Sequence, residues 1–185
     1  MSPAAAVRGA LALLRRHAGR VYAVSLAVTL VNTVPDVLRQ LLVYGDPSRA
    51  HALLVDVVGF TTGLIAQLWL TGALTGLPAD GRVRARGALG RGTATALRAV
   101  RTSPAAVLAG VVLGGGVSAL VTLPPSVAAL GGDGVLGPLD APSVAAFTVA
   151  TVSDVVASAL TLPFLALVLV LVAGSTRQFA GKGRG

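Results

Sequence analysis

Residues 144 to 176 read VAAFTVATVSDVVASALTLPFLALVLVLVAGST, with a single charge, Asp154, and a single proline, Pro163. A helix crosses the hydrocarbon core with about 20 apolar residues at about 1.5 Å each, so this stretch is more than long enough for one span. Two spans would need about 40 residues and a turn. Pro163 stands between Leu162 and Phe164 with no Gly, Asn or Asp beside it, so no turn is signalled. The stretch therefore reads as one long membrane helix, kinked near Pro163, whose first part projects beyond the bilayer.

The rest of the chain fits that reading. Of its 185 residues 54% are hydrophobic and 12% charged, with a mean hydropathy of +0.81. Soluble domains carry about 25% charged residues, and a chain this short cannot hide so much apolar surface behind its own polar shell. The apolar mass is Ala, Val and Leu in unbroken runs, which favours spanning helices over the alternating strands of a barrel. Three further runs qualify. One starts at Val21 and reaches Pro35, the shortest of the set. A second covers Leu53 to Leu77. A third covers Ala105 to Leu123 and is expected to close at Pro124 and Pro125, which offer no backbone N–H. Ala10 to Leu14 is too short for the apolar core of a cleavable signal peptide and is cut off by Arg15, Arg16 and His17, so the first span reads as retained. There is no Cys and hence no disulfide or thiol chemistry.

Charge orders the spans. Lys and Arg accumulate in cytoplasmic loops, and thirteen of the fifteen cations fall in three places: Arg8, Arg15, Arg16 and Arg20; Arg82, Arg84, Arg86, Arg91, Arg98 and Arg101; and Arg177, Lys182 and Arg184. Four spans put those three segments on one side. The other side keeps Arg39 and Arg49 with Asp36, Asp46, Asp56, Asp133, Asp140 and Asp154. A multi-pass protein of the inner (cytoplasmic) membrane with both termini cytoplasmic is expected. The net charge of +8 is then an orientation signal, which argues against nucleic acid as a partner.

Two basic segments are amphipathic. From Arg84 to Arg101 the residues Leu89, Thr93, Ala96, Leu97 and Val100 share one helical face, opposite Arg84, Arg91, Arg98 and Arg101. Before the first span, Val7, Leu11 and Leu14 oppose Arg8, Arg15 and Arg16. Each predicts an interfacial helix with its cations towards anionic headgroups. The chain thus reads as a single all-α membrane domain, 1–185, of two parallel pseudo-repeats, 1–78 and 79–176, with a short basic tail, 177–185. Each unit is a basic amphipathic helix followed by two spans. Asp56-Val57-Val58 with Gly76 matches Asp154-Val155-Val156 with Gly174, and Pro35 matches Pro124. Counting about 20 residues back from Leu77 and Thr176 leaves Asp56 and Asp154 just outside the outer boundary, as interfacial carboxylates and not an intramembrane relay. Gln67, Asn32, Ser153 and Ser158 suit hydrogen bonds between helices.

Small residues specify packing. Ala106, Gly110, Gly114, Ser118 and Thr122 recur every four residues in the third span, and Gly59/Gly63 and Gly72/Gly76 each form G-x-x-x-G in the second. Tight contacts are expected from these two spans, within one chain or across a homodimer. Trp69 falls near mid-span, where packing is its default role.

Chemistry is sparse. His17 and His51 have no partner at metal-ligand spacing, and neither a nucleophile elbow nor a phosphate-binding loop occurs. Asp80-Gly81, Ala85-Arg86 and Gly90 approach the D-G-x-x-A-R motif of CDP-alcohol phosphotransferases, but Ala and Arg are displaced by one residue and the later aspartates are missing. No catalytic residue, metal or cofactor is expected. The order of basic helix, span, acidic loop and span, with Gly72-Ala73-Leu74 and Gly90-Arg91-Gly92 leading into the second unit, resembles an uncharacterised group of bacterial multi-spanning proteins. That group is similar to the membrane domain attached to some glycerophosphoryl diester phosphodiesterases. The family often ends its last helix with Tyr-x-Asp-x-Arg, where this chain has Ala173, Ser175 and Arg177. The resemblance implies a membrane domain without hydrolase activity. The expected role is a scaffold or accessory subunit contacting anionic lipid or a membrane partner; the alternative is a small transporter or permease subunit with a path between the two units.

Overall fold

The computed structural model describes residues 1–136 and 142–182, with the side chains of Asp133, Leu136 and of 176–182 set aside. Asp140 and Arg184 lie outside the described residues, and the side chains of Asp133, Arg177 and Lys182 outside the described side chains. Six helices follow one another: α1 Pro3–Leu42, α2 Arg49–Ala73, a 3-10 turn Leu74–Gly76 leading into α3 Leu77–Asp80, α4 Ala88–Thr102, α5 Pro104–Leu136 and α6 Val144–Lys182. Serines start three of them. Ser2 Oγ accepts from the Ala5 N–H, Ser48 Oγ from the His51 N–H and Ser143 Oγ from the Ala146 N–H, which satisfies amide groups that have no partner within the helix. Four helices, α1, α2, α5 and α6, are long and apolar enough to cross a membrane. The chain is a multi-spanning helical membrane protein.

The first helix carries both the basic segment and the first span. His17, at φ −123° and ψ 25°, bends it between the two. In the second half the corresponding break is complete: α4 ends at Thr102, and Pro104 begins α5. Proline does not end the spans where the sequence led us to expect it. The first helix continues through Pro35 to Leu42, and α5 runs through Pro124 and Pro125 as far as Gly131, whose φ of +75° belongs to the left-handed region that glycine tolerates. Each ring removes one backbone hydrogen bond. Near a span's end that loss is less severe than at its centre, because water reaches the freed carbonyl.

Pro163 lies deeper, and its loss is repaired by a neighbour. The carbonyl four residues earlier, on Ala159, receives the Ser25 hydroxyl of α1 at 2.8 Å. One turn further along α6, the Leu162 carbonyl receives Gln67 Nε2 of α2 at 3.3 Å. The long helix therefore continues unbroken, as its length predicts, and the same turn joins three spans.

This makes α6 the central element. It packs against α1, α2, α4 and α5, and Ala166 to Val170 are all buried. The core is concentrated at the basic end, where Ala6, Ala10 and Leu14 of α1, Leu70 and Leu74 beyond them, Ala99 of α4 and Ala106 of α5 converge on Leu167, Val168 and Val172. Towards the opposite end the helices separate. Leu30, Val31, Val34 and Leu38 of α1 and Leu53, Leu54, Val57 and Phe60 of α2 are all exposed.

The second and third spans both make close contacts, through some of their small residues and not others. Gly110 meets Val168 and Leu165, and Gly114 faces Phe164, so α5 docks on α6. Gly63 has open space in front of it, and Gly59 abuts Arg39 and not another helix backbone. Ser118 is half-buried and its carbonyl accepts from Thr122 within α5. Backbones approach closely where α2 crosses α4. A Cβ on Gly72 would run into the carbonyl of Ala88, and one on Gly92 into the carbonyl of Leu68. Periodicity identifies small residues but not the helix they face.

Two substitutions test this packing. Gly92→Leu should cost about 2–3 kcal/mol or more of stability, because backbone and not a flexible side chain stands in the way. Ser25→Ala should cost about 1 kcal/mol through the Ala159 carbonyl left without a donor. Thermal unfolding in detergent micelles ranks them, and a Ser25→Ala protein more destabilised than Gly92→Leu would contradict the ordering.

Candidate functional site

Charged groups collect at the two ends of the bundle. At the basic end the chain leaves α3 through Gly81, at φ +68°, and runs without regular secondary structure from 82 to 85 before α4 begins. This strap is fixed at several points. The Arg84 N–H donates to the Ala73 carbonyl at 2.8 Å, the Arg20 guanidinium to the Gly81 carbonyl at 2.9 Å, and Arg84 pairs with Asp80 at 2.6 Å. Arg91 reaches back from α4 to donate to the carbonyls of Arg86 and Arg84. Arg84 thus belongs to the strap and not to the α4 face assigned from periodicity, because Gly87, at φ +65°, starts the helix only at Ala88.

Arg84, Arg91 and Arg98 nevertheless share a cleft of about 270 Å³, with Thr75, Thr95, Val170, Ala173 and Gly174 completing its wall. Arg91 and Arg98 lie two turns apart on α4, and the strap supplies the third guanidinium. Arg98 is exposed and has no hydrogen-bond or ion-pair partner among the described residues, and Arg91 Nε is buried without one. Guanidinium groups and the Thr95 hydroxyl offer donors, the Thr75 hydroxyl being given to the Gly72 carbonyl, and three positive charges stand against the single carboxylate of Asp80. The arrangement suits an oxyanion such as phosphate. Arg101, Arg15 and Arg16 are exposed but do not line this cleft.

The same helix has three distinct sides. Ala88, Gly92, Thr95 and Ala99 are buried against the bundle, whereas Leu89, Leu97 and Val100 are exposed. Thr93 is exposed with those leucines, and Ala96 is half-buried beside them. The first arm of α1 behaves differently: Ala6, Ala10 and Leu14 face the core, and Leu11 is exposed. Its apolar face is thus divided between protein and surroundings, because Gly9 allows close approach to Leu171 of α6.

At the opposite end, Asp36, Arg39, Asp46, Asp56 and Asp154 line a cavity of about 330 Å³ between α1, α2, α5 and α6. Arg39 pairs with Asp36 and donates to the Val55 carbonyl. Asp56 and Asp154, read from the sequence as two separate interfacial carboxylates, stand within electrostatic reach of that one guanidinium. Glycine at 59 leaves room for it. Sequence reasoning passed over Arg39; the available signal was Asp36-x-x-Arg39 on one helix face, at the depth of the other two aspartates. Asp46, in the α1–α2 loop, accepts from the His51 ring at 2.6 Å and from the Ser48 N–H at 2.8 Å, and these bonds hold its carboxyl below the usual carboxylate range. The Tyr44 hydroxyl donates to the Pro142 carbonyl at 2.5 Å and ties that loop to the start of α6.

Between the ends, Ser25, Thr29, Gln67, Thr71 and Thr161 are buried polar residues in the spans. Gln67 Oε1 and Thr29 Oγ1 have no hydrogen-bond partner among the described residues. Among the described residues no group of three or more His, Cys, Asp or Glu side chains is placed to hold a metal ion. Comparison of the chain with protein-family models, with curated proteins and with solved structures gave no match.

Proposed function

We propose that this protein is a non-catalytic scaffold or accessory subunit of the inner membrane, with both termini cytoplasmic, and that its basic end engages the phosphate of anionic lipid headgroups. The observation that carries this reading is the convergence of Arg84, Arg91 and Arg98 on one cleft, on the helix that also exposes Leu89, Leu97 and Val100. A helix with exposed leucines beside exposed cations is stable at headgroup depth, where each side meets its preferred medium. The two-unit plan supports a platform role: each half begins with a basic helix, and both helices pack on α6. A non-catalytic role also accords with the membrane domain that the sequence resembles. Arginine near an anionic surface contributes about 1 kcal/mol, so Arg98→Gln in the full-length protein should weaken association with anionic over neutral lipid about five-fold. Unchanged lipid retention on native mass spectrometry would overturn the cleft reading. A reporter fused to the C-terminus should be active only on the cytoplasmic side, and periplasmic activity would reverse the orientation.

A second reading is favoured by the cavity at the other end. A small transporter needs polar groups along a path through the bundle, and the Arg39 cavity with the Ser25 and Gln67 contacts to α6 supplies such a series beside the proline-containing turn of an otherwise continuous helix. On this reading Asp56→Asn and Asp154→Asn should each abolish cation or proton flux into proteoliposomes. Flux that survives both changes removes the transporter reading and leaves the scaffold.

A further inference from the structure

A groove of about 660 Å³ runs along the membrane face of the bundle between α1 and α2, and neither charged end accounts for it. Ala27 and Val31 form one wall, Ile65, Ala66 and Trp69 the other, and Val83 and Ala85 of the strap close its basic end. Val31 and Ile65 are exposed, so the groove opens sideways. It lies within two helices apolar enough to span a membrane. We propose that this groove holds an acyl chain of an anionic phospholipid whose headgroup lies against the arginines of the strap. The proposal rests on the reading that the basic end sits at headgroup depth.

The groove is about as long as one leaflet is deep. From Ala23 to Pro35, the limits of the α1 wall, twelve helical steps give about 18 Å, close to the roughly 15 Å of one leaflet of a hydrocarbon core about 30 Å thick. An extended acyl chain lying along the groove runs that depth.

Charge places the headgroup. Val83 and Ala85 line the basic end of the groove, and Arg82, Arg84 and Arg86, their neighbours in the chain, are all exposed. Arg84 is engaged by Asp80; the guanidinium groups of Arg82 and Arg86 have no hydrogen-bond or ion-pair partner among the described residues. A chain seated in the groove thus ends beside two unpaired cations, the recognition expected for an anionic lipid at this depth.

Trp69 is the only tryptophan and lines the groove, so it reports the occupant directly. The full-length protein is reconstituted into zwitterionic vesicles containing a small, equal fraction of brominated-chain phospholipid, either anionic or zwitterionic. We expect Trp69 to be quenched about thirty-fold more efficiently by the anionic lipid, the preference that about 1 kcal/mol from each of two arginines produces. Ala27→Phe, which fills the groove, should remove this preference while helical content is retained. Arg82→Ala with Arg86→Ala should equalise the two lipids without removing quenching. Arg98→Gln, in the separate cleft, should leave the preference intact, so the groove and the cleft can fail independently. Equal quenching by both lipids in the unaltered protein, or a preference that survives Ala27→Phe, overturns the proposal. So does quenching relieved by raising protein relative to lipid, which would assign the groove to a second copy.

Discussion

A proline in the middle of a membrane helix leaves a carbonyl that lipid cannot satisfy, and the architecture is organised around meeting that demand at Ala159. In water the loss is shared with solvent; in hydrocarbon a donor from a neighbouring helix recovers about 1 kcal/mol of it. Ser25 supplies the donor. For it to do so, α1 must lie against α6 at one register, and Gln67 sets α2 against the next turn through Leu162. Hydrophobicity alone cannot specify such a register, because lipid tails are as apolar as the helices they surround. Two hydrogen bonds and a set of small residues therefore carry the specificity that a water-driven core would otherwise supply.

The small residues explain why order is concentrated at one end. Gly72 and Gly92 bring α2 and α4 into backbone contact, Gly110 seats α5 on Val168, and Ala6 and Ala10 admit the first arm of α1. All of these lie on the basic side of the Ser25 contact. Beyond it α1 and α2 present Leu, Val and Phe outward, so the far half of each has lipid as its main neighbour. The result is a rigid platform beneath the arginines and a more open end around Arg39. A fixed platform suits recognition of a surface, since guanidinium groups held by Asp80 and by the strap carbonyls lose less freedom when an oxyanion arrives.

Much of this was legible in the chain. Four spans follow from uncharged runs, because the bilayer imposes a length that few other environments demand. The continuity of α6 through Pro163 followed from its length and from the missing turn signal. Helix ends were harder to read: Pro35 and Pro124 look like terminators by the rules for water, yet in lipid the alternative to helix is worse, and the helices continue. Neighbour identity was not legible at all. Gly59 and Gly72 sit in the same kind of motif, but one makes space for Arg39 and the other for Ala88, and nothing in their spacing separates the two. The arginine cleft was half visible: periodicity grouped Arg84, Arg91, Arg98 and Arg101, yet Arg84 joins the cleft from the strap before the left-handed turn at Gly87, and Arg101 does not line it.

The charged cavity gives the two-unit reading its most informative asymmetry. Asp56 and Asp154 are matched positions of the two units, and they line one cavity from α2 and α6. Arg39 has no such match: with Pro35 set against Pro124, its counterpart is Ala128, and that of Asp36 is Pro125. A symmetric pair of carboxylates is thus balanced by a guanidinium from one unit only, itself shared with Asp36. Of the four carboxylates that line this space, Asp46 is held by His51, and the other three, beside one arginine, repel one another unless a proton, a cation or water screens them. The guanidinium at residue 39 offsets the repulsion between the carboxylates that α2 and α6 carry. On this argument Arg39 acts first as the electrostatic joint between the halves, and any ion that enters the cavity competes with it for Asp56 and Asp154.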